Sequence, residues 1–285
     1  MSILENINRN KPLLMAILNI TPDSFSDGGV LYKSNQPNIE GVDGVLARAE
    51  KMLEEGADIL DVGGESTRPG AVRPSIDQEL TRVIPVIEAL KQNFNCNISI
   101  DTSSAEVMRQ AVSSGARLIN DVRALKEPGA LQAALESQAD ICLMHMRGSP
   151  ESMQDNPQYQ DVLSEVTNFL KARVDACVKV GINQKRICID PGFGFGKSFE
   201  HNMQLMQNLS GLTQLNLPLL VGVSRKGMIG QITGKSIDQR TAGSLAMAQV
   251  ALDRGANILR VHDVAETCDM IRVWSAIQQS LEAGK

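Results

Sequence analysis

Eight times along this chain a short apolar run stops at a polar or charged residue, and a helical stretch follows. The runs end at Asn19 (LLMAILN), Asp61 (ADILDVG), Asp101 (NISID), Asn120 and Asp121 (RLIND), His145 (ICLMH), Asp190 (RICID), Lys226 (LLVGVSRK) and His262 (ILRVH). Eight successive βα units in one sheet close into a barrel, and each strand then delivers its last residues to one shared mouth. Residues far apart in sequence thereby become candidates for a single site. The competing architecture is a doubly wound open sheet. A repeated device favours the barrel. Gly56-Ala57, Gly115-Ala116 and Gly255-Ala256 each close a helix with a Gly at C′, and a buried strand begins directly afterwards. The predicted fold class is α/β, a (β/α)8 TIM barrel.

The length of 285 residues matches one such barrel, which takes about 250. We therefore expect a single domain over residues 1–285. Net charge is −5, which argues against nucleic acid as a partner and leaves a local cationic pocket for a small anion open. No apolar run approaches the roughly 20 residues of a membrane span, and no secretory signal is visible at MSILENINRNKPLL. The five cysteines lack CxxC or Cys/His spacing, and we expect reduced thiols in a cytoplasmic protein.

Helical periodicity appears in GVLARAEKMLEEG, SIDQELTRVIPVIEAL, SAEVMRQAVSSG, QDVLSEVTNFLKARVDACVKVG, NMQLMQNLSGL, TAGSLAMAQVALDRG and VAETCDMIRVWSAI. Ser75 and Ser103 are the expected N-caps of the second and third of these. Three long Gly/Pro-rich loops follow strands 1, 2 and 5, over residues 20–40, 63–74 and 146–158. Loops of that length at a barrel mouth are functional or disordered more often than simple connections.

Strands 7 and 8 contribute Lys226, Arg260 and His262, at the position where barrels of this class most often bind phosphate. The alternative for such groups is a salt bridge to a neighbouring Asp. Asp101, Asn120 and Asp190 end strands 3, 4 and 6. Their donor and acceptor set suits a planar heterocycle with amino and ring N–H groups, and it equally suits a hard divalent cation; spacing does not separate the two. Asn19 is a neutral oxygen ligand suited to Mg2+ shared with diphosphate oxygens and water. His145 reads equally as a catalytic group or as one behind the site, and His201 as a surface residue. Trp274 is expected to pack the last helix onto the barrel. No nucleophile with a base partner is evident.

Taken together, ILNITPDSFSDGG (17–29), ADILDVGGESTRPGA (57–71), SIDTSSAEV, GARLINDV, LMHMRG, IDPGFGFGKSFEHN, LLVGVSRK and ILRVHDV resemble, in order and spacing, the motifs of the dihydropteroate synthase family, over roughly residues 13 to 275. The resemblance implies a pterin-binding barrel. Its reaction would join 6-hydroxymethyl-7,8-dihydropterin diphosphate to the amine of p-aminobenzoate, giving 7,8-dihydropteroate and diphosphate in folate biosynthesis. It implies that Asp101, Asn120, Asp190 and Lys226 meet the pterin, that Thr67, Arg260 and His262 hold diphosphate, and that Asn19 ligates Mg2+. Phe25, Ser26, Asp27, Thr67, Arg68 and Pro69 would complete the p-aminobenzoate pocket. Asp101, Asp190, Lys226 and Asn19 would then be the groups that act in catalysis, by a dissociative sequence. A homodimer through the last three helices and sulfonamide sensitivity are implied as well. One position departs from the pattern: many relatives carry Ser after the Lys of SRK, and this chain has Gly227. The alternatives are a methyltetrahydrofolate-dependent corrinoid methyltransferase, which needs neither the SRK side nor the TPDSFSDGG loop, and a non-catalytic pterin-binding protein.

Overall fold

Strand parity decides which residues of this chain can reach a common cavity. The structure, a computed structural model, describes residues 2–7, 11–20, 39–65, 73–148, 153 and 156–283. Eight parallel strands form one sheet: β1 (Leu13–Asn19), β2 (Ile59–Gly63), β3 (Asn97–Asp101), β4 (Leu118–Asp121), β5 (Asp140–Met144), β6 (Ile187–Asp190), β7 (Leu220–Val221) and β8 (Ile258–Val261). Their order is β6-β5-β4-β3-β2-β1-β8-β7. The ring closes through one isolated parallel bridge, Ile189 to Leu219, with the Ile189 N–H donating to the Pro218 carbonyl at 2.9 Å. Strand β7 is two residues long because Pro218 has no N–H to give the ladder. Lys226 consequently lies on the turn beyond the strand.

Alternate residues face opposite sides of a strand. Leu14, Ala16, Leu18, Leu60, Val62, Ile98, Ile100, Ile119, Ile141, Leu143, Ile187 and Ile189 point outward into the layer shared with the helices. Met15, Ile59, Leu118, Cys142, Cys188, Leu220 and Ile258 point inward and fill the bottom, with Ile3 and Leu4 plugged beneath them. The buried Asp140 carboxylate holds that plug, accepting from the Ile3 N–H at 2.5 Å, the Leu4 N–H at 3.1 Å and the Ser2 hydroxyl at 2.8 Å. Two residues up each inward column stand Ile17, Asp61, Asn120, Asp190 and Arg260. The apolar floor thus gives way to a polar layer toward the mouth.

The surrounding helices are α1 (Ile39–Glu54), α2 (Ile76–Asn93), α3 (Ala105–Ser114), α4 (Ala130–Ser137), α5 (Val162–Lys179), α6 (Phe199–Gln207), α7 (Gly227–Thr233), α8 (Thr241–Asp253) and α9 (Val264–Ala283). Every periodic segment named above is helical; α4, Ala-rich and eight residues long, was not anticipated. Ser75 caps α2 in a capping box with Gln78. The expected Ser103 cap is corrected: Ser104 occupies the N-cap of α3 without a side-chain cap bond. The Ser103 hydroxyl donates instead to Asp121. Gly56, Gly115 and Gly255 all have positive φ, 106°, 135° and 98°, as the repeated helix-ending device requires. Trp274 is buried on α9, and its indole N–H donates to Asp253 of α8 at 2.8 Å.

Candidate active site at the barrel mouth

Above the polar layer lies a cavity of about 730 Å3, lined by Asn19, Asp101, Asn120, Asp190, Lys226, Arg260 and His262 together with Glu65, Met144, Phe195 and Lys197. The structure therefore brings seven expected site residues, from six different strands or the turns after them, to one space. Phe25, Ser26, Asp27, Thr67, Arg68 and Pro69 lie outside the described residues.

Arg260 is the hub. Its Nε donates to Asp61 Oδ2 at 2.6 Å and its Nη2 to Asp101 Oδ2 at 2.7 Å. Asn120 Nδ2 donates to the same Asp61 oxygen at 3.1 Å. The salt-bridge alternative is thus realised for Arg260 in this state, across three strands. Asp61, with 0% exposure, was seen in the sequence only as a strand end. It sits mid-strand, and its inward parity, two residues above Ile59, was the available signal. Burial pushes the Asp101 carboxyl up to about 7; Arg260 opposes that shift, and Asp61 and Glu65 add to it. Burial likewise raises Asp190, against the Gly192 N–H it accepts at 2.7 Å and the fields of Lys226, Arg260 and Lys197.

Lys226 places its ammonium 4.2 Å from the centroid of the Phe195 ring, a cation–π contact. Burial, then Arg260, lowers its pKa to about 8, while Asp190 and Asp101 act in the other direction. His262 brings no charge of its own at neutral pH. Burial first, then Arg260, Arg225 and Lys226, hold it down to about 3. The Ser224 hydroxyl, which accepts the His262 backbone N–H at 3.2 Å, lies 3.1 Å from Nδ1. A hydroxyl donating to Nδ1 leaves the proton on Nε2, a neutral donor for an anion. Arg225, in the left-handed region at φ 58°, spends its guanidinium on Asp263 at 2.5 and 3.1 Å. That bidentate pair, with the Arg225 N–H on Ser244 at 2.9 Å, fixes the turn that presents Lys226.

Some expectations change. Asp121 faces outward, where it accepts from Ser103 and from the Arg123 and Leu125 N–H groups at 2.8 and 2.7 Å, so it organises the turn after β4 and does not line the cavity. His145 is buried behind the site, its Nδ1 2.9 Å from Lys197 Nζ. His201 is half-buried: it completes the capping box of α6 with Ser198 and meets Tyr159 edge-on at 4.8 Å. Lys197 is a buried cation that the sequence reading missed; its signal was a single Lys following three alternate glycines. Gly227 opens α7, is exposed, and a Cβ there would meet nothing within 4 Å.

A divalent cation has limited protein support here. Among the described residues no group of three or more His, Cys, Asp or Glu side chains could hold a metal. Asn19 lines the cavity. Its carboxamide can give one neutral oxygen to an ion held mainly by substrate oxygens and water.

The arrangement offers acceptors for an N–H-rich planar edge on one side and cationic or neutral donors for an anion on the other. Known proteins resemble this chain over nearly its whole length. The family of pterin binding enzymes matches residues 15–262. Dihydropteroate synthase of Haemophilus influenzae is 51% identical over 265 residues, covering 93% of this chain and 94% of that protein. That of Escherichia coli K12 is 48% identical over 277 residues, covering 97% and 95%. The structure of Yersinia pestis dihydropteroate synthase with a sulfonamide drug complex superposes with a TM-score of 0.89 at 46% identity, over 96% of each chain. Xanthomonas albilineans dihydropteroate synthase in complex with 7,8-dihydropteroate superposes at 0.84 and 45% identity, over 95% of each.

Proposed function

The chain belongs to the pterin binding enzymes and, among them, to the dihydropteroate synthases, and from that premise we propose how its barrel mouth carries the condensation of 6-hydroxymethyl-7,8-dihydropterin diphosphate with p-aminobenzoate. The observation that carries the assignment of roles is the convergence of Asp101, Asn120, Asp190, Lys226 and Arg260 on one cavity.

Asp190 and Asn120 take the amino and ring N–H edge of the pterin, since a carboxylate accepts two such bonds and a carboxamide both accepts and donates. Lys226 lies beside the ring. Arg260 and His262 hold the diphosphate, with Thr67 completing that side. As the C–O bond to diphosphate lengthens, positive charge spreads into the pterin. Asp101 and Asp190 stabilise it through fixed fields in a dry site. The neutral aniline of p-aminobenzoate forms the C–N bond as the C–O bond breaks, and the acidic proton of the resulting anilinium passes to the departing diphosphate, so no strong general base is required. Phe25, Ser26, Asp27, Thr67, Arg68 and Pro69 complete the p-aminobenzoate pocket and exclude water. Asn19 would help hold Mg2+, which when bound would supply charge neutralisation of the leaving diphosphate.

The direct test measures diphosphate release with the dihydropterin diphosphate and Mg2+, with and without p-aminobenzoate. Release that depends on p-aminobenzoate, matched by dihydropteroate, suppressed by EDTA and inhibited by millimolar sulfonamide is the expected result. Tight pterin binding without release would instead support a binding protein or a methyltransferase. We further propose a cytoplasmic homodimer. Val273 and Ile277 are exposed apolar residues on α9, one of the expected helices, and sedimentation equilibrium reads the mass.

Two further expectations follow from the geometry. Lys226 is cationic below its pKa of about 8 and neutral above it, so attraction for the anionic substrate is lost as pH rises through that value. The kcat/KM for the dihydropterin diphosphate, which reports free-enzyme groups, is expected to fall above pH about 8. Lys226→Met should remove that limb and lower the plateau; a limb surviving in the variant assigns it elsewhere. At Gly227, which lines the cavity, open space makes Gly227→Ser sterically free, and the resemblance to the family implies that this position borders p-aminobenzoate. The added hydroxyl is expected to lower the KM for p-aminobenzoate roughly threefold to tenfold, the range of about one hydrogen bond, with kcat held. An unchanged KM refutes this.

A further inference from the structure

The turn between β6 and α6 is built on left-handed glycines: Gly192, Gly194 and Gly196 have φ of 66°, 78° and 62°. A Cβ on Gly192 would lie 1.9 Å from the His145 carbonyl oxygen, so the turn's backbone packs directly on the end of β5. Its bonds include the Phe195 N–H to the Gly192 carbonyl at 3.1 Å, the Gly194 N–H to Asn202 Oδ1 at 2.8 Å and the Tyr159 hydroxyl to the Gly196 carbonyl at 2.8 Å. Into the hollow of this turn comes the ammonium of Lys197, which is 2% exposed. It donates to the Gly192 carbonyl at 2.9 Å and the Phe195 carbonyl at 3.1 Å, and lies 2.9 Å from His145 Nδ1. An ammonium has three donors, and here three acceptors meet them.

Acceptance at Nδ1 requires a neutral His145 with its proton on Nε2. Burial, then Lys197, then Arg147, hold that ring down to about 2, and the Phe169 ring abuts it edge-on at 4.9 Å. Among the described residues no carboxylate forms an ion pair with Lys197, and burial lowers its pKa to about 7 while the field of Asp190 opposes the shift. A buried charge without a paired partner is destabilising, so the group is expensive where it stands. What it fastens are the two parts of the turn that face the cavity. The Gly192 peptide donates its N–H to Asp190 Oδ1 at 2.7 Å, and the Phe195 ring carries the Lys226 ammonium at 4.2 Å.

We propose that Lys197 is a positioning residue of the pterin end: its ammonium, with neutral His145 as third acceptor, fixes the Gly192 peptide and the Phe195 ring so that Asp190 and Lys226 stand where the heterocycle needs them. This rests on the reading that Asp190 takes the pterin edge. Lys197 borders the cavity but spends its three donors on the turn and on His145, so removing it should damage pterin recognition through the turn and spare the anion side on β8.

The experiment titrates two probes, pterin-6-carboxylate by its fluorescence and inorganic diphosphate by calorimetry. The proteins are wild type, Lys197→Met, Lys197→Arg, His145→Asn, His145→Leu and Asp190→Asn. Lys197→Met is expected to weaken pterin binding at least tenfold with diphosphate held within threefold. Lys197→Arg, which keeps charge and donors, should bind the pterin at least threefold tighter than Lys197→Met. His145→Asn keeps an acceptor and should stay near wild type, whereas His145→Leu should weaken the pterin alone; this histidine pair decides the matter if Lys197→Met does not fold. Pterin affinity within twofold of wild type in Lys197→Met overturns the proposal. So does loss of both probes in equal proportion, the mark of general loosening. Asp190→Asn separates the layers. If it binds pterin like wild type, the site reading fails; if it loses pterin while Lys197→Met keeps it, only the present inference fails.

Discussion

Asp101→Asn lowers kcat by about 100-fold at pH 8 while leaving the fold and pterin affinity nearly intact. The substitution is isosteric, and a carboxamide oxygen can still accept from Arg260 Nη2, which now donates to Asp101 at 2.7 Å. What is lost is a charge. At roughly 5 Å from a developing cation and an effective dielectric near 20, one unit charge is worth about 3 kcal/mol, and about 1.4 kcal/mol is tenfold in rate. The measurement belongs at pH 8 because burial lifts Asp101 to about 7, so that the wild-type carboxyl is mostly ionised there. Single-turnover release of diphosphate, compared with equilibrium pterin binding, separates the two contributions. A fall in kcat below tenfold would leave positive charge in the transition state without support, and attack by the amine would then have to run ahead of C–O cleavage.

Arg260→Met is expected to cost both binding and stability, and the stability loss has a defined pH signature. The guanidinium is the direct ionic partner of Asp61, which is fully buried, and of Asp101. Removing one member of a buried pair costs about 3–5 kcal/mol, because the remaining charge is stranded. In wild type the folded Asp101 pKa, about 7, already exceeds its ordinary value of 3.8. The folded state therefore binds more protons than the unfolded state between those values, and stability falls as pH rises through that window. Without Arg260 the folded pKa climbs further, and the loss continues to higher pH. The melting difference between variant and wild type should therefore be smallest near pH 5, where Asp101 is protonated in both. It should grow to roughly 6–10 °C above pH 7, taking about 2 °C per kcal/mol for a chain of this size. A difference that is flat with pH would show that packing of the Arg stem, and not the stranded carboxylates, sets the cost.

The strand ends were legible because a buried parallel strand reads as an apolar run and its polar stop marks the mouth. Asn19, Asp101 and Asp190 each close a strand as expected. Parity was the part left unread. Asp121 follows Asn120 directly, and adjacent residues cannot both face inward, so one served the cavity and the other the turn outside. Asp61 failed for the opposite reason: it was treated as an end and lies two residues short of one, deep enough to anchor Arg260. Lys226 lies on the turn beyond β7 because Pro218 and Gly222 curtail the ladder, which places its ammonium over Phe195. Lys197 was invisible because its role depends on the path of a glycine turn and on a histidine far away in sequence. Ser103 and Ser104 were equally good caps on composition, and only the reach of Asp121 decides between them.

Seven of the eight junctions in the barrel are laddered, and the one between β6 and β7 rests on a single bridge. Parting two strands costs in proportion to the bonds that must be given up, so this junction opens with the smallest penalty. It separates the strand that ends in Asp190 from the strand whose turn carries Lys226. The gap between those two groups is therefore the softest dimension of the site, and amide exchange at Ile189 reads how much breathing room the slot has for rings wider than its own substrate.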